Sequence, residues 1–144
     1  MPKVVLDTNV YISSALIAGS IPEQIFEAWN KGLFELIVSK RILEEIQQVF
    51  AYPKIRNRCP KSDDEINDFF HQVEESAITT PGFLNLAVVA GDPTDDKFVI
   101  AAVEGKADYI VSGDQHLLEL GFYENIRIVK PKEFLEILGS LAKK

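Results

Sequence analysis

The chain has 144 residues, of which 47% are apolar and 26% are charged, and its formal net charge is −7. This length is enough to bury a substantial core, so we expect a soluble, globular protein with a single domain over residues 1–144. The apolar runs are too short to cross a membrane, and the acidic balance argues against a protein that binds nucleic acid through a uniformly basic surface.

The N-terminal residues and the cysteine content indicate where the protein works. The pattern of a buried strand begins at Lys3, so we expect no signal peptide. The one cysteine, Cys59, cannot form an internal disulfide, which is typical of a reducing compartment. We therefore expect a cytoplasmic protein with no membrane partner.

The hydrophobic pattern predicts strands and helices that alternate along the chain. The first half gives a strand over 3–6, helices over 8–18 and 20–32, a strand over 34–39, and helices over 40–51 and 62–77. The second half gives a weak strand over 84–89, a helix over 95–104, strands over 109–112 and 126–129, and a helix over 132–141. Strands separated by helices imply a mostly parallel sheet covered on both faces.

Two of the predicted strands each run into an aspartate. The run "VVL" is followed by Asp7, and "YIVSG" is followed by Asp114. Ligands of such sheets bind at the carboxyl ends of the strands, where the tips of two strands lie roughly 5 Å apart if they are neighbours, or about 10 Å apart with one strand between them. Two carboxylates at that distance repel unless a cation lies between them or one is protonated. Helix capping is the alternative role, and if Asp7 is a ligand we expect Thr8 or Asn9 to cap in its place.

Two further acidic positions come from predicted helices. The stretch "GDPTDDKFVIAA" crowds Asp92, Asp95 and Asp96 at a helix start, which is more acid than one cap needs. Asp96 would lie in the first turn, at the carboxyl edge of the sheet. In "KRILEEIQQVF", the helical period places Glu44 opposite the apolar face and Glu45 at its margin, so Glu45 is the better candidate to reach a cleft.

Acids from four elements, without a cluster of His or Cys, favour a hard cation. Oxygen ligands suit Mg²⁺ or Mn²⁺ rather than Zn²⁺. A bound metal lowers the pKa of its water, and Mg²⁺ commonly bridges to phosphates, so metal-assisted hydrolysis of a phosphodiester is the chemistry that this pattern favours.

Four stretches taken together resemble the PIN domain, and within it the VapC-type toxins of toxin–antitoxin pairs. They are "VVLDTNVYISS", "LEEI", "GDPTDDKFVIAA" and "ADYIVSGDQHLL", and the resemblance runs from about residue 3 to 138. It implies a three-layer α/β/α sandwich with a central, mostly parallel sheet of four to five strands. It also implies an endoribonuclease that depends on Mg²⁺ or Mn²⁺, with RNA as substrate, a possible antitoxin partner, and a homodimer or higher homo-oligomer.

The resemblance also assigns roles to particular residues. The acids that carry catalysis and hold metal map onto Asp7, Glu45, Asp96 and Asp114, and Asp92 or Asp95 can take the place of Asp96. Supporting polar residues map onto Asn9 and Ser112, the second of which is commonly threonine in the family.

Basic residues are concentrated in one part of the chain. Six of the 15 lie between positions 40 and 61. Lys40 and Arg41 are next to Glu45, so we expect them to meet an RNA phosphate, while the basic stretch 54–61 is either an RNA contact or a solvated loop. The competing hypothesis is a non-catalytic PIN-like module that binds single-stranded or structured RNA, or a protein.

Overall fold

The computed structural model describes residues 1–89 and 93–142. The strands are β1 (Lys3–Leu6), β2 (Glu35–Ser39), β3 (Ile78–Thr80), β4 (Tyr109–Val111), β5 (Phe122–Tyr123) and β6 (Ile126–Val129). The helices are α1 (Thr8–Leu16), α2 (Ile21–Asn30), α3 (Lys40–Ala51), α4 (Pro53–Arg56), α5 (Asp63–Ser76), α6 (Asp96–Gly105), α7 (Gln115–Leu120) and α8 (Pro131–Ala142). A short 3₁₀ turn, Pro93–Asp95, leads into α6.

The strands form one mostly parallel sheet in the order β3-β2-β1-β4-β6-β5, flanked by helices. Only β5 runs antiparallel among the strands that the structure describes. The apolar residues of β1 are fully buried, as expected for a central strand covered on both faces. The predicted α/β class is confirmed, with six strands instead of four to five.

The third strand lies at a different place from the one predicted. Residues 84–89 form no strand, and β3 (Ile78–Thr80) instead extends the sheet beside β2, with Ile78 opposite Ile37. The prediction for 84–89 was wrong because two backbone N–H groups of that segment, at Val88 and Val89, donate to a side-chain carboxylate instead of a neighbouring strand. The two-residue edge strand β5 was not predicted.

Helix α6 lies directly on the sheet. Ala101 and Ala102 are fully buried, and a Cβ atom placed on Gly105 would come within 2.8 Å of Ile37 Cδ1. The helix ends at Gly105 and is capped by Lys106, whose backbone is left-handed with a φ of 55°. Small side chains therefore let α6 approach closely, with its first turn near the carboxyl edge of the sheet. Within the described parts of the chain, no helix is long and apolar enough to span a membrane.

Candidate metal centre

The two strands that run into aspartates are direct neighbours. Leu6 of β1 pairs with Val111 of β4, and the Asp7 N–H donates to the Val111 carbonyl at 3.1 Å. Asp7 and Asp114 thus leave adjacent strands at the same edge of the sheet. Their charges interact, because the Asp114 carboxylate contributes to a raised pKa of Asp7.

Asp7 is 3% exposed and uses both carboxylate oxygens. Its extended backbone directs Oδ1 toward the Val10 N–H, which donates at 3.1 Å and makes Asp7 the N-cap of α1. Oδ2 accepts a hydrogen bond from the Ser112 hydroxyl. The expectation that Thr8 or Asn9 would cap this helix was therefore wrong.

Burial is the main influence on the ionisation of Asp7. It raises the pKa of Asp7 from its ordinary 3.8 to about 6, and the negative charge of Asp114 adds to the rise. Hydrogen bonds from Ser112 and Val10 oppose it, because they stabilise the charged form. A cation bound beside the two carboxylates would favour that charged form further.

Ser112 connects the two aspartates. It is fully buried, donates to Asp7, and accepts a hydrogen bond from the Asp114 N–H at 2.9 Å. Asp114 caps α7 with Oδ1, which accepts from the N–H groups of His116 and Leu117 at 2.8 and 3.3 Å. Within the described residues, Asp114 Oδ2 accepts no hydrogen bond, so it is available to a ligand.

Glu45 reaches the same edge from helix α3. The Glu45 carboxylate accepts from the Thr8 hydroxyl through Oε2, and Oε1 lies 3.0 Å from the Lys97 ammonium. Glu44, one residue earlier, points away and pairs with Lys40 at 3.9 Å. Lys97 was not among the residues predicted from the sequence, and the only signal for it was its position directly after the acid pair of "TDDK".

These side chains surround one cleft of about 220 Å³. Its walls come from the ends of β1 and β4, from α1, α3 and α6, and from the turn before α6: Asp7, Thr8, Asn9, Glu45, Val49, Thr94, Asp95, Phe98 and Asp114. The structure thus brings together three of the four predicted acids and the predicted Asn9. Ser112 does not line the cleft itself, but it donates a hydrogen bond to Asp7, which does.

The fourth predicted acid is turned elsewhere. Asp96 Oδ1 accepts hydrogen bonds from the N–H groups of Val88 and Val89 at 3.1 and 2.8 Å. Asp95, the residue before it, lines the cleft and makes no capping hydrogen bond to α6. Asp92, the other alternative, lies outside the described residues.

The predicted basic contacts separate in the structure. Lys40 is exposed and pairs with Glu44, whereas Arg41 lines a groove next to the cleft. In the stretch 54–61, Arg56 forms an ion pair with Asp63 at 2.6 Å. Of these residues, Arg41 is the one placed near the acidic cleft.

Comparison with known proteins shows the family of this chain. A family model described as the PIN domain matches residues 3–116. The chain belongs to the PIN-domain family. It is 30% identical over 142 residues to the uncharacterized protein MJ1680 of Methanocaldococcus jannaschii, covering 93% of this chain and 90% of that protein.

Two solved structures share the PIN fold of this chain at low sequence identity. PAE2754 from Pyrobaculum aerophilum has a TM-score of 0.61 and 13% identity, with 97% of this chain and 90% of that chain covered. FitAcB from Neisseria gonorrhoeae has a TM-score of 0.50 and 13% identity, with 90% and 98% covered. At these identities, the likeness concerns the fold alone.

The donor set of this PIN domain fits a hard divalent cation. The cleft presents carboxylate and amide oxygens, which Mg²⁺ and Mn²⁺ prefer. Within residues 1–89 and 93–142, no three His, Cys, Asp or Glu side chains converge closely enough to hold a metal by themselves. Mg²⁺ does not need such a cage, because it keeps several waters and binds through one or two carboxylates and substrate phosphates.

Proposed function

We propose that this chain is a single PIN domain that hydrolyses RNA internally with the help of Mg²⁺ or Mn²⁺. PIN domains are in general nucleases that depend on divalent metals, which supports hydrolysis of phosphodiester bonds. The observation that carries the proposal is the cleft itself. Carboxylates from four separate parts of the chain line it, and two of them, Asp7 and Asp114, leave adjacent strands.

The metal ligands in this proposal are Asp7, Asp114 and Asp95, with Glu45 and Asn9 completing the oxygen donors. A bound divalent ion would lower the pKa of a coordinated water and stabilise charge on the phosphate. The chain supplies the fixed positions. Ser112 orients the Asp7 carboxylate, and the strand pairing keeps Asp7 beside Asp114.

Asp95 takes the place that the family resemblance gave to Asp96. The oxygen of Asp96 that accepts two backbone hydrogen bonds serves to hold residues 88 and 89, whereas Asp95 lines the cleft. In this proposal Asp96 supports the surrounding structure and Asp95 contacts the metal.

The biological role we propose is that of a VapC-type toxin. The cleaved substrate would be single-stranded or structured RNA in the cytoplasm, and an antitoxin protein would silence the enzyme. A homodimer or higher homo-oligomer is part of this proposal. Induced expression should arrest growth of a host cell and the Asp7→Asn variant should not, while sedimentation of the purified chain would give its assembly state.

The decisive experiment measures cleavage of an end-labelled RNA by the purified chain. We expect cleavage with Mn²⁺ or Mg²⁺, none with a chelator, and none for Asp7→Asn, while circular dichroism shows a folded variant. Asp68→Asn, an exposed acid on α5, is the matched control and should cleave normally. Cleavage by Asp7→Asn at the parent rate would contradict the mechanism.

The second candidate function is a non-catalytic module that binds RNA or a protein. The ion pair between Lys97 and Glu45 favours it, because an ammonium already neutralises one of the carboxylates. Purified protein that binds RNA but leaves every tested RNA intact with Mn²⁺ would support this alternative.

A further inference from the structure

Residues 81–89 form no helix or strand, yet α6 holds them at two points. The Glu104 carboxylate accepts hydrogen bonds from the N–H groups of Gly82, Phe83 and Leu84 at 2.7, 2.8 and 3.2 Å. The Asp96 carboxylate accepts the two further bonds described above. Hydrogen bonds to an ionised acceptor are stronger than those between neutral groups. The segment, which we call the tethered loop, is therefore fixed in shape although it has no regular structure.

The tethered loop presents an aromatic ring to solvent. Phe83 is 84% exposed, and its neighbour Leu84 is 41% exposed. The three N–H groups bound by Glu104 belong to Phe83 and the residues on either side of it. An exposed ring on a fixed backbone is what a stacking platform for an unpaired base requires.

The loop forms one wall of a groove that opens beside the metal cleft. The groove holds about 600 Å³ and lies between the tethered loop and residues of α3 and α6. Glu45 and Thr94 line both the groove and the cleft, so the two spaces are neighbours. A strand of nucleic acid bound at the cleft would therefore meet this groove as it leaves.

The groove also contains a cation that is available for a phosphate. Arg41 is exposed on α3 and forms no ion pair within the described residues. Lys97 lies where the groove meets the cleft and is paired with Glu45. Three acids also line the groove, and each has a partner: Glu44 pairs with Lys40, Glu45 pairs with Lys97, and Asp96 accepts hydrogen bonds from the loop backbone. Within the described residues, Arg41 is thus the cation of this groove that can pair with an RNA phosphate.

We propose that the groove binds the single-stranded RNA that extends from the metal cleft, with one unpaired base stacked on Phe83 and a backbone phosphate at Arg41. The inference rests on the proposed function, because it concerns the same RNA. Stacking accepts any base but requires an unpaired one, so Phe83 selects single strands without fixing their sequence. Glu104 acts as a positioning residue that holds the ring in place.

The test is a binding measurement with the purified chain in chelator, which prevents metal-dependent cleavage of the probe. The probe is a fluorescein-labelled single-stranded RNA, and fluorescence anisotropy gives its Kd. Phe83→Ala should weaken binding by about five-fold to one hundred-fold, the range typical of one lost base stack. Phe83→Trp should bind as well as the parent. Phe122→Ala is the matched control, because Phe122 is 67% exposed on the edge strand β5 and should not affect binding.

An abasic probe identifies the stacked base. A set of RNAs, each lacking one base, should contain one member for which the parent and Phe83→Ala bind equally. Arg41→Ala should weaken all probes alike and reduce the dependence of Kd on salt, as expected for a lost phosphate contact. A duplex of the same sequence should bind the parent and the Phe83→Ala variant with the same Kd.

The outcomes separate this inference from the proposed function. If the parent cleaves RNA and Phe83→Ala binds it as tightly as the parent, the inference is overturned and the nuclease stands. If the parent binds RNA through Phe83 but never cleaves it, the inference stands and the nuclease is overturned. If Phe83→Ala changes only the sedimentation of the protein and leaves RNA binding intact, the ring belongs to a protein interface and the inference is overturned.

Discussion

The Lys97 ammonium lies 3.0 Å from Glu45 Oε1, on a carboxylate that lines the cleft proposed to hold metal. Lys97 also donates to the Thr94 carbonyl, which fixes it at the entrance to α6. One carboxylate of the cleft is therefore already paired with a cation. A divalent ion that binds beside Glu45 must displace this ammonium or tolerate its repulsion.

Replacing Lys97 should separate metal binding from RNA binding. We expect Lys97→Met to bind Mn²⁺ more tightly in the absence of RNA, by several-fold to about ten-fold, because it removes a neighbouring positive charge. The same variant should bind RNA more weakly, since a phosphate loses that charge. Isothermal titration with Mn²⁺ measures the first effect. Lys40→Met is the control, because Lys40 pairs with Glu44 outside the cleft, and an equal gain in both variants would contradict the prediction.

Two adjacent aspartates should respond differently to the same substitution. Asp95→Asn should weaken Mn²⁺ binding about ten-fold or more and leave the tethered loop in place. Asp96→Asn should bind Mn²⁺ nearly as the parent does. It should unfold at a lower urea concentration, with a free energy of unfolding lower by about 1–3 kcal/mol, because two backbone donors lose an ionised acceptor. Electron paramagnetic resonance of Mn²⁺ and urea unfolding give the two readouts. Loss of metal binding confined to Asp96→Asn would restore Asp96 as the ligand.

The raised pKa of Asp7 should make the metal-free protein less stable as the pH rises. The pKa is about 6 in the folded chain and near its ordinary 3.8 in the unfolded chain, so the contribution of Asp7 to stability is complete below pH 3.8 and is lost as the pH passes 6. The loss amounts to about 3 kcal/mol, since one pKa unit corresponds to about 1.4 kcal/mol.

Asp7→Asn isolates this effect because it removes the titrating group. With chelator present, the free energy of unfolding of the variant relative to the parent should increase by about 2 kcal/mol between pH 4 and pH 8, since part of the total loss has already occurred at pH 4. Saturating Mn²⁺ at pH 8 should stabilise the parent and reduce that difference, because metal binds the folded carboxylate. A difference that stays constant with pH would show that burial of Asp7 does not control its ionisation.

Glu104 should control the order of the tethered loop without affecting the cleft. Glu104→Ala removes the acceptor of three backbone hydrogen bonds, so the amides of Gly82, Phe83 and Leu84 should exchange with deuterium about ten-fold faster or more. Mn²⁺ binding should not change. RNA binding should weaken when Phe83 is present and should not weaken further in the Phe83→Ala background. If the losses of RNA affinity add up in the double variant, Glu104 contributes to RNA binding independently of Phe83, which would contradict the prediction.

The sheet could be predicted because its central strands are short, fully apolar runs. Val4, Val5 and Leu6 of β1 are all fully buried, and such a run between turn signals has few other structures open to it. The rule that ligands bind at the carboxyl ends of parallel strands predicted that Asp7 and Asp114 share one edge of the sheet, but the adjacency of β1 and β4 came from the structure.

The parts that could not be predicted depend on which partner a polar group finds. The hydrophobic pattern of residues 84–89 is typical of a strand, but two N–H groups of this segment donate hydrogen bonds to the Asp96 carboxylate instead of to a neighbouring strand. The choice between Asp95 and Asp96 depends on where the 3₁₀ turn ends and α6 begins, since neighbouring helical residues point about 100° apart. Lys97 pairs with Glu45, 52 residues earlier, and no local pattern encodes that contact.

The close packing of α6 on the sheet at Gly105 has a consequence for how the sequence of this protein can change in evolution. Because Gly105 lets α6 pack closely against Ile37, the helix has a defined position on the sheet, and it carries both Asp96 and Glu104, which hold the tethered loop. Residues 85–87 lie between the two points at which α6 holds the loop. This segment can be exchanged or made longer without moving Asp96 or Glu104. A graft of that segment from another family member should transfer substrate preference as a module and leave the acidic cleft as it is.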